Sequence, residues 1–208
     1  MKIKFRVNKM KIVLVGSSGI IGKAVNKELS QRHEIITASR NSGDIKMDIT
    51  DKVSIRDGLA AIGSFDALIS TTGSVHFGAF SEMNEEEYLI GINNKLMGQV
   101  NLVLIGREFI APSGSFTLTT GILNRDPIRY GSSAAMVNGA IDSFVLAAAL
   151  EMNNGVRINS VSPTVITEAL GSYAPYFRGY KPVDAADAAL AYSKSVEGLQ
   201  TGKIYEVN

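Results

Sequence analysis

The stretch that most constrains the fold is Lys11 to Lys23, K-I-V-L-V-G-S-S-G-I-I-G-K. Ile12, Val13, Leu14 and Val15 form a short apolar run, mostly β-branched, of the kind required by a strand buried on both faces of a parallel sheet. The run stops at Gly16, and from Ile20 the pattern turns helical, with Ile20, Ile21, Ala24, Val25 and Leu29 on one broad face. Gly16, Gly19 and Gly22 punctuate the turn between them. Such a turn exposes the backbone amides of Ser17, Ser18, Ile20 and Ile21 at the positive end of a helix dipole, where an anion is favoured. Gly22 allows the helix to lie against the strand. A tight βα turn without a ligand would use the same glycines, but the position after a buried strand favours a dinucleotide phosphate.

At 208 residues the chain fits one domain with a sizeable core. Its 21 basic and 20 acidic residues leave a net charge of +1, which argues against nucleic acid or a membrane surface as the main partner. No cysteine is present, so disulfides, thiolate metal sites and cysteine nucleophiles are excluded, and no metal site is expected. The composition suits a cytoplasmic protein. Met1 to Lys9 lacks the apolar core of a signal peptide and reads as an N-terminal extension, either a loose arm or an edge strand carrying Ile3, Phe5 and Val7. The domain proper then runs from Met10 to Asn208.

Glu34 to Ala38 reads as a second strand ending in Ser39 and Arg40. Nucleotide-binding folds place the adenosine ribose there, and a guanidinium accommodates a 2′-phosphate through parallel hydrogen bonds, which favours NADP(H) over NAD(H). Asp44 to Asp48 reads as a third strand only about five residues later, too close for the usual crossover between parallel neighbours. Asp48 and Ile49 would border the adenine, and Thr50 or Asp51 would cap a helix running to about Ile62. Phe65 to Thr71 is a fourth strand, and Thr71, Thr72 and Gly73 would lie along the nicotinamide ribose. His76 follows in the loop as a surface residue or a substrate contact. Ser81 to Tyr88 has a helix-starting pattern, and an apolar helix is expected from Ile92 to Ile110. A fifth strand spans Ser115 to Thr119, and a second long helix Ser133 to Asn153. The sixth strand, Gly155 to Val161, is expected to break at Ser162-Pro163. An aromatic lid spans Thr164 to Pro182, followed by a helix over Asp184 to Val196 and a last strand over Lys203 to Val207.

The alternating strands and helices, the glycine turn, the strand ends Thr-Thr-Gly at 71–73 and 119–121, and G-V-R-I-N-S-V-S-P at 155–163 together resemble the short-chain dehydrogenase/reductase family from Met10 to Asn208. The resemblance implies a single-domain α/β fold, a Rossmann-type doubly wound parallel sheet of about seven strands. It also implies a bound nicotinamide cofactor touching Pro163, Thr164 and Val165, carbonyl-alcohol redox chemistry, and a homodimer or homotetramer through the two long helices. Typical members carry a serine after the fifth strand, Y-x-x-x-K on the next helix and an asparagine on the preceding one. Here Thr120 stands at the serine position, Ala134 at the tyrosine and Asn138 at the lysine. The glycine turn has the shorter G-x-x-G-x-x-G form, and Thr164 replaces a glycine.

Counting back from Gly98 puts Lys95 at the asparagine position, so Lys95 and Asn138 exchange helices. An ammonium would then reach the same point from the opposite side. Tyr130, one helical turn before Ala134, is the candidate phenol, giving Tyr130 as proton donor, Lys95 as cation and Thr120 as carbonyl hydrogen-bond donor. The expected function is an atypical NADP(H)-dependent oxidoreductase acting on a small carbonyl or alcohol substrate, with Arg129 and the aromatic lid favouring an acidic one. The alternatives are a non-catalytic NADP(H)-binding redox sensor and an isomerase using the cofactor transiently.

Overall fold

A computed structural model describes residues 8–208; the possible edge strand over Ile3, Phe5 and Val7 lies outside them. Seven parallel strands form one sheet in the order β3-β2-β1-β4-β5-β6-β7. They are β1 Lys11–Val15, β2 Glu34–Ser39, β3 Ile45–Lys46, β4 Phe65–Ser70, β5 Ile110–Thr119, β6 Arg157–Pro163 and β7 Lys203–Val207. Alternate residues of β1 feed two cores. Val13 and Val15 meet α2 (Lys52–Ile62), α4 (Met97–Gly106) and α5 (Ser132–Ala148), whereas Ile12 and Leu14 meet α1 (Ile20–Leu29) and α6 (Ala185–Glu197). Burial on both faces explains the unbroken apolar run. The sheet order reverses beside β1, so β1 and β4 end at the switch point where such sheets open a crevice.

The short link between β2 and β3 needs no helix. The Asp44 carboxylate accepts hydrogen bonds from the Thr37 amide at 2.9 Å and the Thr37 hydroxyl at 2.7 Å, folding the loop back so that Ala38 and Ser39 pair with Ile45 and Lys46. These bonds also hold the Asp44 carboxyl below its usual pKa. Asp51 caps α2 by accepting from the Val53 amide at 2.8 Å. Thr50 does not cap; it donates to Asp48.

Three expected boundaries are corrected. The first long helix starts earlier, at α3 Glu85–Gly91, where Asn84 and Glu87 form a reciprocal capping box, and it ends at Gly106. Ile110 already belongs to β5; the helix stops at Gly106, and the exposed Arg107 and Glu108 carry the chain through a turn into the strand, a short break that the apolar residues on both sides of it mask. The second long helix ends at Ala148, and the chain turns back through the left-handed residues Asn154 and Gly155 to enter β6. Finally, β6 continues through Ser162 and Pro163, which pair with Glu206 and Val207. The Thr164 amide donates to Val207, so the Pro163 nitrogen points the other way, toward β5, which has ended by then; no ladder bond is lost.

Candidate active site

The glycine turn is built as tightly as its spacing implies. Gly16 has φ +89° and lies against Thr71, such that a Cβ there would meet the Thr71 carbonyl at 2.9 Å. A Cβ on Gly22 would come within 2.2 Å of the Gly16 carbonyl oxygen. The Thr71 hydroxyl clamps the turn by donating to Val15 and Gly16 carbonyls at 3.2 and 3.1 Å. Helix α1 begins after Gly19 with no side-chain cap and no acid in its first turn, so nothing competes with an external anion for its first amides.

A groove of about 230 Å³ opens beside this turn, lined by Gly16, Ser18, Ser39, Arg40, Asp48, Ile49 and Thr72 among the expected cofactor residues. Arg40 is exposed, and its charge helps hold the Asp48 carboxyl below the ordinary range, after the larger effect of the Thr50 amide and hydroxyl. The Ser39 hydroxyl turns inward and donates to the Ser42 carbonyl at 2.5 Å. Asn41, Ser42, Met47, Ser74 and Asn94 also line the groove and were not anticipated. Asn94 accepts from the Ser74 amide at 2.8 Å, fixing the loop after β4; its place beside Lys95 was the one signal available in the sequence. The remaining expected residues lie off the groove. Ser17, Gly19, Ile20 and Ile21 belong to the turn and first helical turn, and Gly73 covers the Lys95 stem. Pro163, Thr164 and Val165 are buried, Thr164 bonded to Val207 and Val165 to Val183.

Deeper in, the helix containing Lys95 widens into a π segment, Ile92–Leu96, between α3 and α4. The Lys95 ammonium donates to Asn138 Oδ1 at 2.7 Å and to the Thr120 carbonyl at 3.3 Å, while Asn138 Nδ2 donates to the Gly121 carbonyl at 3.2 Å. Burial pushes the Lys95 pKa down to about 8, opposed by the Asp142 carboxylate. Asp142, one turn beyond Asn138, is held by Ser160 and Asn124 at 2.8 Å each and lies 3.9 Å from Arg125. Among the described residues the hydroxyls of Thr120 and Ser133 are buried without a hydrogen-bond partner, and Ala134 is 3 % exposed.

Tyr130 has a left-handed backbone, φ 69°, and its ring meets Tyr176 edge-on, with centroids 6.0 Å apart, beneath the Arg129 guanidinium. Among the described residues its hydroxyl makes no hydrogen bond. The lid is an aromatic chain running Phe77, Tyr173, Phe177, Tyr180, anchored by the Tyr180 hydroxyl donating to the Asp126 carbonyl at 3.1 Å. His76 faces Glu87 at 3.4 Å. Among the described residues no helix is long and apolar enough to cross a membrane, and no group of three metal-ligating side chains gathers.

A family model described as enoyl-(acyl carrier protein) reductase matches residues 18–198. The chain belongs to the short-chain dehydrogenase/reductase family. This short-chain dehydrogenase/reductase is similar in structure to the protein lin1944 from Listeria innocua, with 48 % identity and a TM-score of 0.94 over 96 % of this chain and 100 % of that one. It is also similar to a small-chain dehydrogenase solved in complex with NADPH, with 27 % identity and a TM-score of 0.85 over 97 % of each chain. A short chain dehydrogenase from Burkholderia cenocepacia J2315, solved with NADP, shares the fold at 19 % identity and a TM-score of 0.86 over 96 % of each chain. No curated protein matches the chain. The expected family and its single-domain, seven-stranded parallel architecture are thus borne out.

Proposed function

We propose that this short-chain dehydrogenase/reductase binds NADP(H) in the groove beside the glycine turn and interconverts a small carbonyl compound and its alcohol. The observation that carries the reading is the Gly16 turn, which leads into the uncapped α1 terminus, sharing one groove with Arg40, which suits a pyrophosphate at one end and a 2′-phosphate at the other. When bound, such a cofactor supplies or accepts a hydride at its nicotinamide ring. Ser18, the first amides of α1 and Thr72 would hold its phosphates and ribose, Asp48 and Ile49 its adenine, and Arg40 its 2′-phosphate. Lys95, Asn138 and Thr120 form the polar floor on which a carbonyl oxygen would rest. The relative solved with NADPH supports the choice of cofactor.

A regulatory NADP(H)-binding module is the second reading, favoured by Ala134 at the phenol position. Titration with NADPH and NADH by fluorescence, followed by NADPH oxidation against a panel of aldehydes and ketones, separates the two. Tighter NADPH binding with turnover supports the reductase; tight binding with no turnover on any compound supports the sensor. Failure to bind either dinucleotide removes both.

A further inference from the structure

Resting on the reductase reading, we propose that Lys95 is itself the acid and base of the reaction, so that this enzyme needs no catalytic phenol. An ammonium carries three donors, and among the described residues only two are used, on Asn138 Oδ1 and the Thr120 carbonyl. The third is left for an acceptor that the described residues do not supply. Thr120, whose carbonyl holds the ammonium, carries a buried hydroxyl with no partner among the described residues, so an unused N–H and an unused O–H belong to one small cluster. A carbonyl oxygen bound there would satisfy both.

The candidate phenol is occupied elsewhere. Tyr130 is fixed by its left-handed backbone, by its neighbour Arg129 and by Tyr176 of the lid, and no hydrogen bond links it to Lys95, Thr120 or Asn138. At the position where the family carries its phenol, Ala134 contributes only a buried methyl group. A phenol with an ordinary pKa near 10 needs a neighbouring cation to work at neutral pH, whereas an ammonium near 8 is already matched to it. Around that ammonium, α5 presents Asn138 and the Asp142 carboxylate and the end of β5 presents the Thr120 carbonyl, while Gly73 of the loop after β4 packs on the lysine stem. Arg125, beside Asp142, tempers the one negative charge of the set.

In the reduction, the carbonyl carbon accepts a hydride from the dihydronicotinamide as the carbonyl oxygen takes a proton from the Lys95 ammonium. A C–H and an O–H bond form, the carbonyl π bond and one N–H bond break, and the products are the alcohol, oxidised nicotinamide and a neutral amine. The amine regains its proton from water. Oxidation of the alcohol runs the same path backward, with neutral Lys95 as base.

Three measurements on the whole protein test this. Lys95→Ala should lower kcat/KM for reduction by about 100-fold or more while NADPH binding changes less than about threefold, and added methylamine or ethylamine should restore turnover in proportion to its concentration. The parent kcat/KM should fall about tenfold per pH unit above a pKa near 8. In the cofactor-free protein, ¹³C-methylated Lys95, assigned by comparison with Lys95→Ala, should titrate near that value. A midpoint above about 9.5, in the range of ordinary lysines, overturns the assignment even if no carbonyl in the panel turns over. So does Lys95→Ala turnover that no amine rescues, when Tyr130→Phe loses as much as Lys95→Ala. If NADPH fails to bind the parent, the fault lies with the cofactor reading itself, and fluorescence reports that separately.

Discussion

Gly22 packs behind the glycine turn and Arg40 lines the groove beside it, and the two fail in different ways when changed. A Cβ on Gly22 would press on a backbone oxygen 2.2 Å away, so Gly22→Ala must push α1 off the turn. Denaturant unfolding should show a loss of about 1–3 kcal/mol, and NADPH affinity should fall at least tenfold. Arg40→Ala touches no buried contact and should leave stability alone. It should weaken NADPH by about tenfold or more with little change for NADH, because only the 2′-phosphate loses a partner. Lys95 gives a pH signature. Its folded pKa lies below its unfolded value, so between about 8 and 10.5 the unfolded state binds more protons, and stability rises with pH across that window. Chemical denaturation of the parent against Lys95→Met should show the variant's advantage below pH 8 shrinking toward pH 10.5 by up to about 3 kcal/mol.

At the level of elements, the caps and turn residues did what local chemistry asks of them. Asp51 fixes the start of α2, and Asp51→Ala should cost about 1 kcal/mol in denaturant unfolding, typical of a lost N-cap. The acids 85–87 marked a helix start in the sequence, and Asn84 with Glu87 builds it. Helix ends were harder to read. Apolar residues stand on both sides of the turn because the helix before it and the strand after it are both buried, so only Gly106, Arg107 and Glu108 mark the break between them. The π segment at 92–96 had no local signature either. It is a feature of packing, found where Lys95 reaches across to Asn138.

At the scale of the molecule, the two long helices leave apolar surface outward. Leu104, Leu146 and Leu150 are exposed, and a groove of about 600 Å³ lies between the ends of α4 and α5, lined by Val103, Phe144 and Met152 among others. A homodimer through this face is proposed on that ground. Light scattering should give a mass near twice 22.3 kDa, and Leu104→Glu combined with Leu146→Glu should return the monomer.

The sequence by itself determined the layers, the parallel sheet and the glycine turn, because doubly buried strands and glycine spacing are local consequences of burial and backbone sterics. Through the family resemblance it also pointed to Lys95 and Asn138 as an exchanged pair, since they stand at the family's asparagine and lysine positions. Only the tertiary structure decided that they touch, that Asp142 lies behind them, that Tyr130 is held against the lid and that Asn94 lines the groove. Those facts depend on how helices far apart in the chain are brought face to face, and no stretch of neighbouring residues carries that information.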